Sequence, residues 1–214
     1  MGCIRFEKVS DHIFWVLWEI KETETELLDL AKEEASTFAH IKNDKVRRQS
    51  ISGRAALTHL LGQLDLEFHG IHKNENGKPF LVNSEYSISI SHSRHFACAM
   101  ISLIPKDFIG IDIEMVTPKV LRLISRFANP DELKFAQSTI DGNPQNATVI
   151  WTLKEAAYKA FGQLNIEFKS QIKSLFGLNN EIEGIEINTV QGKAHQYSSK
   201  IYLHEDFVVS ITYQ

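Results

Sequence analysis

Ile109-Gly110-Ile111-Asp112-Ile113-Glu114 and, about 40 residues further on, Trp151-Thr152-Leu153-Lys154-Glu155-Ala156-Ala157-Tyr158-Lys159 are the stretches on which the reading of this chain turns. The first alternates with a period of two and reads as a strand. Ile109, Ile111 and Ile113 point to the core, and Gly110, Asp112 and Glu114 share the opposite face, with Gly110 leaving space beside the two acids. The second reads as a helix. Trp151, Glu155 and Lys159 fall at i, i+4 and i+8, along one stripe.

The chemistry follows from the residue types. Two carboxylates one strand-step apart on one face can share a cation. Hard oxygen donors suit magnesium, which binds through few carboxylates and otherwise through waters and substrate phosphates. Zinc would want His or Cys, and none stands at ligand spacing here. Trp151 anchors the helix, Glu155 completes a metal site or takes a proton, and Lys159, one turn on, meets a phosphate. Lys154 lies about 100° around the helix from Glu155 and faces another part of a cleft, or water. Each segment alone also fits a plainer description. The hexapeptide is then an amphipathic strand with its acids in water, and the helix carries a surface Glu–Lys pair worth a few tenths of a kcal/mol.

Around these stretches the chain reads as α+β. A strand is predicted over 12–20. Helix follows over about 23–41, in two pieces, with Thr23 or Thr25 as its cap and Glu26 near the capping-box position. A second helical region covers 44–64. Gly53 lies within it, at a cost that close packing or ligand approach explains. Residues 74–79 form a turn, and strands follow at 86–91, 95–104 and 108–115. Helices are expected at 120–127, 130–137 and 145–161, and four strands after residue 170. The order strand, helices, strands occupies residues 1–104 and again 105–214. Two α+β halves packed as one unit, with a cleft between them, are the expected architecture.

Composition bounds the rest. In 214 residues, 43% are hydrophobic and 23% charged, ordinary for a soluble globular protein able to bury a sizeable core. A net charge of −4 argues against a broad nucleic-acid surface and leaves room for a local basic patch. Cys3 and Cys98 make neither a disulfide framework nor a zinc signature, and Cys98 sits in an apolar run as an expected buried thiol. No signal-peptide pattern opens the sequence, and no apolar run approaches the ~20 residues of a membrane span. A cytoplasmic chain, with neither nucleic acid nor membrane as partner, is the expectation.

The I-G-I-D-x-E strand followed by W-[ST]-x-K-E-[AS]-x-x-K resembles the 4′-phosphopantetheinyl transferase superfamily. Length and doubled architecture resemble its monomeric, pseudo-dimeric Sfp-type branch. Gly77-Lys78-Pro79 matches the family's G-K-P element, and Ser89-Ile90-Ser91-His92-Ser93 matches its [NS]-[IL]-S-H-[ST] signature. Arg47, Arg48 and Gly53-Arg54 stand where the family often carries an arginine-bearing helix. Arg47 and Arg54, seven residues apart, are preferred as one face. After Lys159 the sequence departs from the family's glycine-rich G-x-G-L stretch and reads Phe161-Gly162-Gln163-Leu164-Asn165-Ile166.

The resemblance implies a fold of two similar α/β halves with the active site in the cleft between them. It implies Mg²⁺-dependent transfer of 4′-phosphopantetheine from coenzyme A to a serine of an apo acyl or peptidyl carrier protein, releasing 3′,5′-adenosine bisphosphate. Asp112, Glu114 and Glu155 are then the metal ligands. Asp112, Glu155 and Lys159 are the catalytic groups, with Glu155 the base, directly or through a water on the metal. Coenzyme A is expected on Arg47, Arg54, Gly77, Lys78, Pro79, Ser91, His92, Lys154 and Lys159. The carrier is expected on the segment of Lys119, Arg122 and Arg126. A non-catalytic coenzyme A-binding regulatory module is the alternative reading, which an intact carboxylate trio speaks against.

Overall fold

The computed structural model describes residues 2–137 and 142–214. Residue 1 of the expected first half and residues 138–141 of the second lie outside the described residues. The chain forms two compact units, 1–107 and 108–214, each an antiparallel sheet with helices, so the class is α+β as expected.

In the first unit the sheet runs in the order β1 (Cys3–Ser10), β2 (Ile13–Glu19), β6 (Phe96–Pro105), β5 (Tyr86–Ser93), β4 (Pro79–Leu81) and β3 (Ile71–Lys73). The edge strands β1 and β3, and β4 beside β3, were not among the expected elements. β1 is largely exposed, and β3 and β4 are three residues each, too short for a period to register. Helix α1 (Glu24–Ala31) starts at the expected capping box, with Thr23 N donating to Glu26 Oε2 at 2.7 Å and Glu26 N to Thr23 Oγ1 at 3.4 Å. Helix α2 (Asp44–Gln63), capped by Asn43, lays Ala56, Leu57, Leu60 and Leu61 against Val16, Trp18, Ile88, Ala99 and Ile101 of the sheet. A Cβ on Gly53 would stand 2.7 Å from Ile90 Cγ2, so the mid-helix glycine serves close packing on β5. Cys98 is buried in β6, as its apolar neighbours foretold.

The second unit's sheet runs β7 (Ile109–Met115), β11 (Phe207–Tyr213), β10 (Ala194–Leu203), β9 (Ile182–Asn188) and β8 (Ile172–Phe176). Helix α5 (Pro144–Phe161) lies across β7 and β11. It begins at Asn143, whose side chain accepts from Gln145 N and Asn146 N. It ends at Gly162, whose φ of 69° is the left-handed cap that glycine adopts freely. Helices α3 (Lys119–Phe127) and α4 (Pro130–Ala136) pack beside α5, and a single turn, α6 (Phe168–Gln171), leads into β8. No helix among the described residues is long and apolar enough to cross a membrane.

Candidate active site

The site is built where α5 crosses β7, and Gly110 makes the crossing possible. A Cβ at Gly110 would stand 1.9 Å from Ala156 O and 2.8 Å from Ala160 N. The room expected beside the two acids is therefore filled by the helix itself. At Gly110 the acidic face of β7 lies directly under α5, while Glu114 further along remains half-buried.

Every position of the Trp151–Lys159 segment takes up that geometry. The Trp151 ring centroid is 4.9 Å from that of Phe127 and 5.6 Å from that of Phe168, an aromatic anchor between α3 and α6. Thr152 Oγ1 shares a 2.7 Å hydrogen bond with Ser210 Oγ on β11, and Ser210 stands opposite Asp112 in the ladder. Leu153 and Ala157 enter the core with Ile172, Ile185 and Ile187. Tyr158 packs on Phe168. The Lys159 ammonium donates to Asp112 Oδ1 at 2.7 Å and to Ile111 O at 3.2 Å.

Asp112 is buried and Glu114 is half-buried. Glu155, also half-buried, is pushed up to about 7. Burial is the larger cause, and the negative charge of Asp112 adds to it. Lys159 opposes the shift, and Glu114 adds a smaller push. These side chains thus share one electrostatic field, with Glu155 poised between its two protonation states near neutral pH.

The carboxylates of Asp112 and Glu114 push up the proton affinity of Glu155, a crowding that a divalent cation relieves, and this set of hard oxygens suits magnesium. It is not a closed cage: among the described residues no group of three or more His, Cys, Asp or Glu is placed to hold a metal ion. The cation on Asp112 is the Lys159 ammonium.

Lys154 corrects an expectation. It faces neither water nor a coenzyme. Its side chain is fully buried and paired at 2.7 Å with the equally buried Glu132, and its remaining donors reach Phe127 O and Phe168 O. All three N–H groups are used, so none is left for a phosphate. The one-residue step from Glu155 carried no hint of this, because the partner lies on another helix.

In the first unit, Gly77-Lys78-Pro79 closes the expected turn. Asn74 Oδ1 accepts from Asn76 N and Lys78 N, and Gly77 takes a φ of 80°. Burial pulls the Lys78 ammonium below the ordinary lysine range, against the opposing charge of Asp107. Ser91 is buried on β5, and His92 follows half-buried, close below Gly53 of α2.

Arg47 and Arg54 do share a face of α2, but it is turned to α1 and the chain just beyond. Arg47 Nε donates to Glu24 Oε1 at 2.9 Å and its guanidinium also pairs with Asp44. Arg54 meets Glu33 at 3.5 Å. The preference for these two as phosphate readers is thus at odds with their place in the structure. A cavity of about 450 Å³ opens beside α2, lined by Lys45, Arg48, Arg94 and His95 with Gln49, Ile20, Glu24 and Asp44. Lys45, Arg94 and His95 were not singled out in the sequence. Lys45 stands on α2 and Arg94-His95 in the turn between β5 and β6, so no local spacing joins the two groups.

The family model described as the 4′-phosphopantetheinyl transferase superfamily matches residues 108–212, and that of the 4′-phosphopantetheinyl transferase N-terminal domain matches residues 33–102. The chain belongs to the 4′-phosphopantetheinyl transferase superfamily. An N-terminal domain ahead of the superfamily region is the arrangement of the Sfp-type transferases, as the resemblance implied. A Synechocystis sp. protein whose assigned name, 4′-phosphopantetheinyl transferase, is itself provisional shares 30% identity over 147 residues. That match covers 63% of this chain and 57% of the relative's length.

Proposed function

We propose that this chain transfers 4′-phosphopantetheine from coenzyme A to a serine hydroxyl of an apo acyl or peptidyl carrier protein. The observation that carries the reading is the meeting of Asp112, Glu114, Glu155 and Lys159 where α5 crosses β7, in a chain of the transferase superfamily. The serine oxygen attacks the β-phosphorus, the phosphoanhydride bond to the adenosine side breaks, and 3′,5′-adenosine bisphosphate leaves. Glu155, one helical turn before Lys159 on α5, accepts the serine proton, directly or through a water. Lys159 turns from Asp112 to the pyrophosphate and offsets charge gathering on the leaving group. Asp112, Glu114 and Glu155 are the residues that would hold Mg²⁺, which when bound would supply positive charge for the pyrophosphate.

Groups for coenzyme A are also proposed in the first unit. Lys78 and His92 take its nucleotide end, and the basic lining of the α2 cavity, Lys45, Arg48 and Arg94, adds positive charge for its phosphates. The carrier is proposed to dock on α3, which buries Ile124 and Phe127 while exposing Lys119, Arg122, Leu123 and Arg126 to an acidic partner helix. Arg122→Glu is expected to weaken carrier affinity about tenfold, read as KM for the carrier with KM for coenzyme A unchanged.

The test of the function is intact mass. The protein is mixed with coenzyme A, Mg²⁺ and a panel of apo carriers from fatty-acid, polyketide and peptide assembly. A phosphopantetheine adduct on at least one carrier is expected, and its absence from every carrier would defeat the reading. Lys159 offers a check without turnover. Its ammonium competes for Asp112 with any incoming cation, so Lys159→Met is expected to raise Mn²⁺ affinity of the coenzyme-free protein about three- to tenfold by calorimetry. Unchanged or weaker Mn²⁺ binding would remove Asp112 from the metal site.

A further inference from the structure

Lys154 immediately precedes Glu155, and its surroundings show what the buried charge does. Three acceptors meet its three donors: Glu132 Oε2 at 2.7 Å, Phe127 O at 2.8 Å and Phe168 O at 2.7 Å. The Glu132 carboxylate is as fully engaged. Its Oε2 also takes Asn129 N at 2.8 Å, closing the capping box of α4. Its Oε1 takes Ser174 N at 2.9 Å and Ser174 Oγ at 3.0 Å. One fully buried ion pair thus ties α5 to the end of α3, the start of α4, the first residue of α6 and strand β8.

Stability alone does not account for such a pair, because well-packed apolar residues of similar volume commonly serve as well or better. What it adds is direction. An ammonium held by three acceptors fixes the rotation and height of a helix, whereas an apolar contact tolerates sliding. On a different face of α5, the Thr152–Ser210 hydrogen bond pins the helix to β11 beside Asp112. With Gly110 removing the spacer between α5 and β7, these fastenings leave the helix one way to sit.

We infer that Glu132 and Lys154 are a positioning pair for the transfer reaction, holding α5 in the register that presents Glu155 and Lys159 to Asp112. The inference rests on the roles given above to Glu155 and Lys159. Neither Glu132 nor Lys154 touches substrate; both act through the placement of α5.

The double variant Glu132→Gln/Lys154→Met keeps the volume and leaves no lone buried charge. Ser174→Ala removes one hydroxyl bond to Glu132, touches no charge and is mild enough to keep the fold. Both are measured well below their melting temperatures, with near-ultraviolet circular dichroism as the check on folding. In the double variant kcat is expected to fall about tenfold or more with KM for coenzyme A within about twofold. Ser174→Ala should move kcat the same way by about two- to threefold. Trace acetylation of lysines read by mass spectrometry supplies a readout that needs no turnover. Lys159, held by Asp112 in the parent, should react about fivefold faster in the double variant, relative to the exposed Lys106 and Lys193, with a smaller rise in Ser174→Ala. A pair that only stabilises the fold would lower the melting temperature yet leave kcat and Lys159 acetylation of the folded variants at parent values, and that result overturns the inference. A parent protein that modifies no carrier defeats the proposed function instead, and Lys159 acetylation then decides the positioning role by itself.

Discussion

Glu155→Gln is expected to lower the transfer rate by about 10²–10⁴-fold while making the metal-free protein more stable at pH 8. The loss follows from removing the proton acceptor and one cation ligand in a single step. The gain follows from linkage. The folded Glu155 carboxyl titrates at about 7, above its ordinary value of 4.5, chiefly because it is buried and faces Asp112. A group whose folded pKa is raised favours the fold at low pH, and that contribution is lost as pH climbs from 4.5 through 7. Above pH 7 the parent holds an ionised carboxylate where a neutral group is preferred, a cost of about 2–3 kcal/mol after allowing for partial exposure. Glutamine has the same shape and no charge to bury. Thermal denaturation without divalent ions should therefore show the variant melting about 4–10 °C above the parent at pH 8, with the two converging near pH 4.5. Added Mg²⁺ should raise the parent's melting temperature and close the gap. Equal melting temperatures at pH 8 would mean that Glu155 is not held among like charges, and undiminished transfer would take it out of the mechanism.

Gly110→Ala is expected to abolish most activity through backbone geometry alone. The added Cβ would meet Ala156 O at 1.9 Å, Ala160 N at 2.8 Å and Ala156 C at 2.9 Å, all main-chain atoms of α5. No side chain can swing away, so the helix must lift from β7. Overpacking of this kind costs about 1–3 kcal/mol or more. The kinetic penalty is expected to be larger than the loss of stability suggests, because moving a reacting group by about 1 Å costs on the order of 10²-fold. Gly184→Ala on β9 is the control. Its Cβ would press on Tyr197 O at 2.7 Å, away from Asp112 and Glu155. Both variants should lose stability, and only Gly110→Ala should lose kcat at a temperature where it remains folded. A folded Gly110→Ala variant with near-parent kcat would show that transfer tolerates a displaced α5.

Much of this site was legible beforehand because its signals are local. The period of two in Ile109–Glu114 depends on neighbouring residues, and it placed Asp112 and Glu114 on one face. The i, i+4, i+8 stripe depends on helical pitch and put Glu155 and Lys159 in line. The capping box at Thr23 is set by hydrogen bonds that span three residues. Strand β1 was missed because its exposed edge position leaves no buried face to print a pattern. The arginines of α2 were misjudged because seven-residue spacing tells which residues share a face, not what that face meets. Here it meets Glu24 and Glu33.

The sequence by itself determined the α+β class, the resemblance to the transferase family and the pairing of an acidic strand with a Glu–Lys helix. Only the tertiary structure decided which lysine is walled in and which reaches Asp112. Lys154 and Lys159 sit in one helix and are equally basic in the sequence. One ends fully buried on Glu132 and two carbonyls, and the other reaches Asp112 with part of its side chain exposed. The difference comes from partners on other helices and strands. A charge is spent on structure or kept for a ligand according to whether folding surrounds it with acceptors, and no neighbour in the chain reports that.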